Sequence, residues 1–176
     1  MIDAIKVVAC PKLAEVKIVL HTQFEDARGR IYTHYTTEAE RKILLGKRFN
    51  HNKIAVSYRD VIRGIHGDNK SYKLVSCLNG EVYQVVVDCR KNATSFGSWW
   101  SCILKGEDCQ SILIPPGFGN AFLTLSDSSV YCYKLSYSGK YMDANEQFTY
   151  LWNDERFSIN WPVEFPILSL RDSLSK

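Results

Sequence analysis

Residues Lys73–Cys89 read KLVSCLNGEVYQVVVDC. Two apolar, β-prone runs, Lys73–Leu78 and Glu81–Cys89, flank the dipeptide Asn79-Gly80. Asn-Gly tolerates the positive φ angles of a tight two-residue turn, so this stretch predicts two antiparallel strands joined as a hairpin. Because both runs are long and apolar, they indicate a β-rich core for the chain around them.

Further short β-prone runs lie on both sides of this stretch, with turn residues between them. They are Glu15–Gln23, Ile31–Tyr35, Ile54–Tyr58, Phe96–Leu104, Ser111–Ile114, Ala121–Leu125 and Ser129–Tyr137. The last two are expected to pair across Ser126-Asp127-Ser128. Many short strands at roughly even spacing favour a β-sandwich or small barrel, whose mouth is a natural ligand cavity.

One helix is predicted. Thr37-x-x-Glu40 has the form of a capping box, and helix-forming residues continue over Ala39–Leu45 until Gly46. The tail from Trp152 onward contains Pro162 and Pro166, and is expected to wrap the body as turns and short helix. Without a repeat or linker, the 176 residues are interpreted as one domain, residues 1–176.

Composition and charge narrow the function classes. A net charge of +3 without a block of Lys and Arg argues against nucleic-acid binding. The N-terminus lacks a basic region before an apolar run, and no apolar run is long enough to span a bilayer. The six cysteines stand singly, which is typical of buried thiols in a reducing compartment. We therefore expect a cytoplasmic protein without a membrane partner.

The stretch VIRGIHGDNKSYKLVSCLNG, Val61–Gly80, carries the strongest functional signal. His66 can exchange a proton near neutral pH, Arg63 can grip a phosphate, and Lys73 can stabilise an oxyanion. Together with Asp68, these residues fit either a polyanion site or proton chemistry beside a carbonyl. A basic surface loop is the alternative that this stretch alone leaves open.

Nine motifs in order give a resemblance over Phe24–Asp172. The chain resembles the cupin-type nucleotide-sugar 3,5-epimerases, the family of dTDP-4-dehydrorhamnose 3,5-epimerase (RmlC). The resemblance implies an all-β cupin fold, a double-stranded β-helix jelly roll with few short helices. It also implies a homodimer that exchanges N-terminal strands, and neither a metal nor an organic cofactor. The motifs are FEDARG, VIRGIH, KLVSCLNGEVYQVVVDCR, SFGSW, IPPGF, YKLSY, WND, WP and LSLRD.

The resemblance assigns roles to individual residues. It implies that His66 is the base that removes a proton beside a C4 ketone, oriented by Asp172. Lys73 matches the lysine near the ketone oxygen, and Tyr133 matches the tyrosine that returns a proton from the opposite face. The residues that match the diphosphate-binding positions are Arg28 and Arg63.

Several positions depart from the family pattern. Asn120 stands where the family has a second site histidine, and an amide can donate a hydrogen bond but not relay a proton. Thr33 replaces a glutamate that contacts thymine, and His51-x-Lys53 replaces Gln-x-Asn near the nucleotide and sugar. A further site tyrosine aligns with Tyr141, or alternatively with Tyr137.

These departures, with RGIHGDNKSYKLV and DANEQFTYLWNDER, resemble the branch that modifies GDP-linked 4-keto-heptoses for capsular polysaccharide. The expected substrate is thus a GDP-4-keto-6-deoxy-heptose, epimerised at C3 or at C3 and C5. One alternative is a dTDP-4-dehydrorhamnose 3,5-epimerase of rhamnose synthesis. Another is a catalytically silent cupin that only binds a sugar nucleotide, a reading that Asn120 favours. A metal-dependent cupin is disfavoured because the sequence has no His-x-His pair.

Overall fold

Antiparallel strands and one short helix build the chain, which a computed structural model describes over residues 5–139, 141 and 146–174. The only α-helix in these ranges is α1 (Thr37–Leu44). No helix among these residues is long and apolar enough to cross a membrane. The strands are β1 (Ile5–Ala9), β2 (Lys17–His21), β3 (Gln23–Asp26), β4 (Gly29–Tyr32), β5 (His51–Tyr58), β6 (Ile62–Gly67), β7 (Tyr72–Asn79), β8 (Glu81–Asp88), β9 (Trp99–Lys105), β10 (Gln110–Ile114), β11 (Phe118–Thr124), β12 (Ser128–Ser136) and β13 (Phe148–Thr149).

The strands form two facing sheets and a separate hairpin. The six-stranded sheet has the order β1-β2-β10-β7-β12-β5, and the five-stranded sheet has the order β13-β6-β11-β8-β9. Strands β3 and β4 pair only with each other. From β5 to β13 the chain changes sheet at every connection except that between β8 and β9, and this alternation between two facing sheets is the topology of a jelly roll. The predicted all-β cupin fold is therefore confirmed.

The predicted hairpin at Asn79-Gly80 is wrong. Strand β7 pairs with β10 and β12, whereas β8 pairs with β11 and β9, so the chain changes sheet at this turn. Gly80 has φ +78°, and a Cβ there would lie 2.2 Å from the carbonyl oxygen of Ser128. The turn is thus tight, as predicted, but it joins two sheets. Both strands bury residues on both faces, which favours central strands of a sandwich over a half-exposed hairpin.

The predicted pairing across Ser126-Asp127-Ser128 is wrong for the same reason. Strand β11 lies in the five-stranded sheet and β12 in the six-stranded sheet. The hydroxyl of Ser126 donates to the carbonyl oxygen of Ser128 at 2.7 Å and accepts from the backbone N–H of Glu81 at 2.8 Å. This second crossing therefore packs against the first, at the same end of the barrel.

Three other local predictions are corrected. The stretch around His66 is not a loop, because Ile62–Gly67 forms strand β6. The helix is capped by Thr36, whose hydroxyl accepts from the backbone N–H of Ala39, so the capping box at Thr37 is absent. The carboxylate of Glu40 instead accepts from the backbone N–H of Phe49 and the hydroxyl of Tyr35. The described part of the tail after Trp152 contains turns but no helix.

Apolar side chains fill three layers. Between the sheets, Val75 and Val86 belong to the largest core cluster. The outer face of the five-stranded sheet is covered by the C-terminal segment through Phe157 and Trp161. The outer face of the six-stranded sheet is covered by α1 through Leu44. All six cysteines are free thiols. These layers leave the mouth between the sheets open to a ligand.

A chain of hydrogen bonds crosses the outer face of the six-stranded sheet. His34 Nε2 bonds the hydroxyl of Ser76 at 2.9 Å, Ser76 bonds Ser111 at 2.7 Å, and Ser111 bonds Nε2 of His21 at 2.8 Å. Burial, with smaller contributions from His21 and Lys134, lowers the pKa of His34 to about 4. Burial also lowers the pKa of His21, although the backbone of Thr33 opposes the shift. Both imidazoles are therefore neutral in the folded protein at pH 7 and above.

We predict that this network makes the fold acid-sensitive. The unfolded chain protonates His34 near pH 6.5, but the folded chain does so only near pH 4. The contribution of neutral His34 to the free energy of unfolding is therefore complete above pH 6.5, and it decreases as the pH falls toward 4. Between pH 7.5 and 5.0 the loss should be about 1–2 kcal/mol. Urea unfolding of the wild type and His34→Gln at both pH values measures it, and an equal pH dependence in the two proteins would contradict the assignment.

Candidate active site

A cavity of about 520 Å³ opens between the two sheets. Residues of both sheets and of the C-terminal segment line it. Eight of the eleven residues predicted from sequence lie in its wall: Lys53, Arg63, His66, Lys73, Asn120, Tyr133, Tyr141 and Asp172.

A β-bulge in β6 brings Arg63 and His66 to the same cavity. His66 pairs with Asn120, and Arg63 pairs with Phe122. These two pairs are three residues apart on β6 but only two residues apart on β11, so β6 contains one extra residue. In a regular strand, residues three apart face opposite sides, but one extra residue restores them to one side. Gly64 lies in the bulge with φ +126°, and a Cβ there would lie 2.5 Å from the Cβ of Ala121. The Arg-Gly-Ile-His spacing thus depends on glycine at this position.

His66 and Asp172 form a hydrogen-bonded pair. Nε2 of His66 lies 2.5 Å from Oδ1 of Asp172, and the carboxylate is almost fully buried. Burial raises the pKa of Asp172, but the hydrogen bond and charge of His66 outweigh it and leave the pKa below the ordinary value. An ionised carboxylate can only accept, so Nε2 donates to it, and in the neutral imidazole Nδ1 is then the nitrogen with the lone pair. The pair is therefore suited to remove a proton from a ligand.

The C-terminal segment is fixed in place to deliver Asp172. The backbone N–H of Ile62 donates to the carbonyl oxygen of Ile167 at 3.1 Å, and that of Ile167 donates to the carbonyl oxygen of Asp60 at 2.8 Å. Asp172 follows five residues later, and its backbone N–H donates to the carbonyl oxygen of Ser169 at 3.0 Å. This turn holds the carboxylate against β6, although His66 and Asp172 are 106 residues apart.

Lys73 is buried at the start of β7. Its ammonium donates to the carbonyl oxygen of His66 at 3.1 Å. Burial lowers the pKa of Lys73 to about 8; the charge of Arg171 lowers it too, while Asp68 and Cys89 oppose the shift. A desolvated cation beside His66 can stabilise negative charge that develops on a ligand oxygen.

Tyr133 faces the cavity from the sheet opposite to His66. It lies on β12 of the six-stranded sheet and pairs with Lys53 of β5, whereas His66 lies in the five-stranded sheet. Its ring meets that of Tyr131 edge to face, with 4.8 Å between the centroids. Since the sheets face each other across the cavity, the imidazole and the phenol approach a ligand from opposite sides.

The wall of the cavity is rich in positively charged side chains. Lys53, Arg63, Lys73 and Arg171 line the cavity, and Asp172 is the acidic residue among the described lining. Arg63 is oriented by the hydroxyl of Ser57, at 2.9 Å from its Nε. Such a wall suits a diphosphate.

Sequence reasoning missed Arg171 as a site residue. Its guanidinium donates to the hydroxyl of Thr149 at 3.0 and 3.1 Å and to the amide oxygen of Gln147 at 3.2 Å. Gln147 and Ser169 also line the cavity and were not predicted. The one available signal was the position of Arg171 directly before Asp172 in the LSLRD motif.

Three predicted residues lie outside this cavity. Arg28 is exposed at the tip of the β3–β4 hairpin, where its guanidinium bonds Asp26 at 2.5 Å. Thr33 is exposed just after that hairpin. His51 is one step removed, because its ring lies 4.4 Å from that of Tyr141, which does line the cavity. The hairpin pairs with neither main sheet, and none of its residues is among the described lining of this cavity.

Tyr141 rather than Tyr137 lines the cavity. The Nζ of Lys53 lies 5.7 Å from the centre of the Tyr141 ring, and the Tyr137 ring packs behind it at 4.9 Å. This arrangement favours the predicted assignment of Tyr141 over its alternative.

Comparison with known proteins agrees with this geometry. The family model for dTDP-4-dehydrorhamnose 3,5-epimerase matches residues 11–176. The dTDP-4-dehydrorhamnose 3,5-epimerase of Salmonella typhimurium is 35% identical over 170 residues, covering 92% of this chain and 89% of the relative. The crystal structure of the Bacillus anthracis enzyme with TDP and PPi bound superposes with a TM-score of 0.89 at 29% identity, covering 98% of this chain and 99% of the other. ChmJ, a 3'-monoepimerase from Streptomyces bikiniensis in complex with dTDP-quinovose, gives 0.82 at 28% identity, covering 93% and 83%.

The jelly roll and its cavity therefore define a cupin of the sugar-nucleotide epimerase class. The family model matches residues 11–176, which is nearly the whole chain, and it identifies one family within this class. The chain belongs to the dTDP-4-dehydrorhamnose 3,5-epimerase family.

Proposed function

We propose that this chain epimerises a nucleotide-diphosphate-linked 4-keto-6-deoxy sugar at C3, or at C3 and C5. One observation carries the proposal: a His66–Asp172 pair and Tyr133 line one cavity from opposite sheets, with Lys73 beside the histidine. Inversion of a carbon next to a ketone needs a base on one face and a proton donor on the other. Binding alone needs neither.

The proposed reaction proceeds through an enolate. Nδ1 of His66 takes the proton from C3, the C–H electrons form the C3–C4 double bond, and the carbonyl electrons move to the C4 oxygen. The Lys73 ammonium stabilises that negative charge. Tyr133 then donates its phenolic proton to C3 from the other face, the ketone reforms, and C3 is inverted. Exchange of protons with solvent restores His66 and Tyr133.

The cationic wall is proposed to hold the diphosphate, through Lys53, Arg63 and Arg171. Arg28 lies on the exposed hairpin, outside its own cavity. We propose that it reaches the site of a second copy in a homodimer, as the family resemblance implies. The same hairpin exposes Phe24 and Ile31, at 64% and 73% of their surfaces, which supports an apolar contact with another chain. No cofactor enters this proposal.

Two substrates are supported by different observations. The relatives are named for dTDP-4-dehydrorhamnose, so a dTDP-linked 4-keto-6-deoxyhexose has the broader support. A GDP-linked 4-keto-6-deoxy-heptose for capsular polysaccharide is the second candidate. It is favoured by Thr33, Asn120 and the His51-x-Lys53 pair, which replace residues that the resemblance places near the nucleotide or sugar. The ChmJ structure belongs to a monoepimerase, so inversion at C3 alone is found within this fold.

The substrate proposal is tested by offering the two sugar nucleotides separately. Initial rates give kcat/KM, and NMR of the product shows which carbons are inverted. A higher kcat/KM for one compound assigns the nucleotide and sugar. Tight binding of both compounds without inversion of either would overturn the epimerase proposal in favour of the silent cupin.

Thr33→Glu tests whether residue 33 contributes to nucleotide choice. The substitution restores the carboxylate of the family pattern at an exposed position, so the fold should tolerate it. We expect kcat/KM for the dTDP sugar to rise relative to that for the GDP sugar by about tenfold, the worth of one good polar contact. Thr37→Glu, four residues further on and also exposed, is the matched control. An unchanged ratio in Thr33→Glu would show that this position does not read the base.

A further inference from the structure

Asn120 belongs to a buried hydrogen-bond network behind the cavity. Gln84 on β8 donates from Nε2 to Oδ1 of Asn120 at 2.7 Å, and the hydroxyl of Tyr131 on β12 bonds Oε1 of Gln84. Gln84 and Tyr131 are fully buried, and Asn120 is 5% exposed. Buried polar groups are costly unless they are paired, so the network has a defined geometry rather than an incidental one.

A backbone carbonyl fixes the direction of this network. Nε2 of Gln84 also donates to the carbonyl oxygen of Val85 at 2.9 Å. A carbonyl can only accept, so the NH₂ end of Gln84 must face it, and both of its hydrogens are then used. The oxygen of Gln84 consequently faces Tyr131, which must donate. Burial, followed by the nearby Tyr133, raises the pKa of Tyr131 well above its ordinary value, so the hydroxyl keeps its proton.

The same constraint determines how Asn120 presents its amide. Two NH₂ groups cannot bond each other, so Asn120 must turn Oδ1 toward Gln84. The Nδ2 of Asn120 makes no hydrogen bond to another described residue. Asn120 lines the cavity and lies directly across from His66 in the β6–β11 pairing. Nδ2 is therefore the end of the amide that is available to a ligand.

We infer that Gln84 and Tyr131 are positioning residues that hold Asn120 as a hydrogen-bond donor to the ketone oxygen of the substrate. The inference rests on the proposed function. With Lys73, this amide forms a two-donor site for the enolate oxygen, and the donors are oriented before the substrate binds. None of the three network side chains exchanges a proton near neutral pH, so this wall stabilises charge without relaying protons.

Three variants test the positioning role. Gln84→Met keeps the length and burial of the side chain but removes the amide that bonds Asn120 and Tyr131. Tyr131→Phe keeps the ring stack on Phe122, whose centroid lies 4.0 Å away, but removes the hydroxyl. Gln84→Glu presents acceptors to Val85 and Asn120, so the amide of Asn120 should reverse. We expect kcat to fall about tenfold to a hundredfold in Gln84→Met and further in Gln84→Glu, with KM changed less than about threefold.

The matched control is Thr124→Val. Thr124 and Ser129 form another fully buried polar pair on β11 and β12, with their hydroxyl oxygens 2.9 Å apart, and neither lines the cavity. This variant should lose stability but keep kcat. In Gln84→Glu, the deficit relative to wild type should shrink at low pH, because a protonated carboxyl can donate again. A merely structural role would produce no such pH-dependent rescue.

A measurement that does not require turnover separates this inference from the proposed function. In a His66→Asn background, ¹⁵N NMR of the Asn120 side chain is followed while each 4-keto sugar nucleotide is added. We expect its NH₂ signals to shift on binding, and the shift to be lost with Gln84→Glu. Unshifted NH₂ signals in the presence of bound sugar nucleotide, or wild-type kcat in Gln84→Met, would overturn the positioning role. If the wild type turns over neither sugar, the epimerase proposal fails while the amide shift still reports the orientation of Asn120.

Discussion

Replacement of His66 by asparagine is expected to reduce kcat by about 10²–10⁴-fold, the usual worth of a positioned general base. The shorter asparagine side chain has no atom at the position of Nε2, so the bond to Asp172 is lost, and the amide cannot accept a proton from carbon. The backbone bonds of Ile167 to Ile62 and Asp60 should still hold the C-terminal segment in place. The affinity for the nucleotide sugar should change little, because the cationic side chains remain. Steady-state kinetics and isothermal titration calorimetry on the same preparation measure both quantities.

The control for this variant is His34→Gln at pH 7.5. His34 is also a partly buried histidine, but it lies on the outer face of the six-stranded sheet and does not line the cavity. Its substitution should leave kcat near the wild-type value. Retention of turnover in His66→Asn would remove the base from the proposed mechanism.

Lys73→Met is expected to separate activity from stability. Lys73 is 5% exposed, and burial lowers the pKa of its ammonium from 10.5 to about 8. The folded state therefore holds the charged form unfavourably below pH 8, and that cost disappears as the pH rises from 8 toward 10.5. An apolar side chain of similar length avoids the cost. At pH 7 we expect the free energy of unfolding to increase by about 1–3 kcal/mol, after allowing for the lost bond to His66.

The same variant should lose about 10²–10³ in kcat, because one donor to the enolate oxygen is gone. Urea unfolding and steady-state kinetics test the two effects on one protein. Lys70→Met is the matched control, since Lys70 is an exposed lysine of the same segment, paired with Glu146 at 2.8 Å. It should alter stability by less than about 0.5 kcal/mol and leave kcat unchanged. A destabilised but active Lys73→Met protein would contradict the electrostatic role.

The sequence predicted the fold class well and the strand connections poorly. The alternation of apolar and polar residues, together with the turn residues, located most of the strands. These signals could not show which sheet each strand joins. Asn79-Gly80 gives a correct tight turn and a wrong hairpin, because packing between the sheets, rather than turn chemistry, selects the partners of β7 and β8. Strand β6 was missed because Gly64 and Gly67 lower its β-propensity. The bulge that needs Gly64 is visible only with β11 beside it.

The catalytic candidates were predictable for a different reason. His66, Lys73, Tyr133 and Asp172 were found through motif resemblance, and the structure brings all four to one cavity. The role of Gln84 was invisible in sequence, since it depends on which end of each amide meets a partner from another strand. Arg28 lies apart from the cavity of its own chain, and its motif in the sequence could not show how far it is from the other site residues.

Deuterium incorporation tests the central claim most directly. The protein is incubated in deuterated water with each 4-keto sugar nucleotide, and label at C3 and C5 is followed by NMR and mass spectrometry. We predict that the wild type places solvent deuterium at C3, with or without C5, and that His66→Asn incorporates it at least about 10²-fold more slowly. Binding of both nucleotide sugars by the wild type, with no label in either, would contradict proton abstraction in this cavity and leave a protein that only binds them.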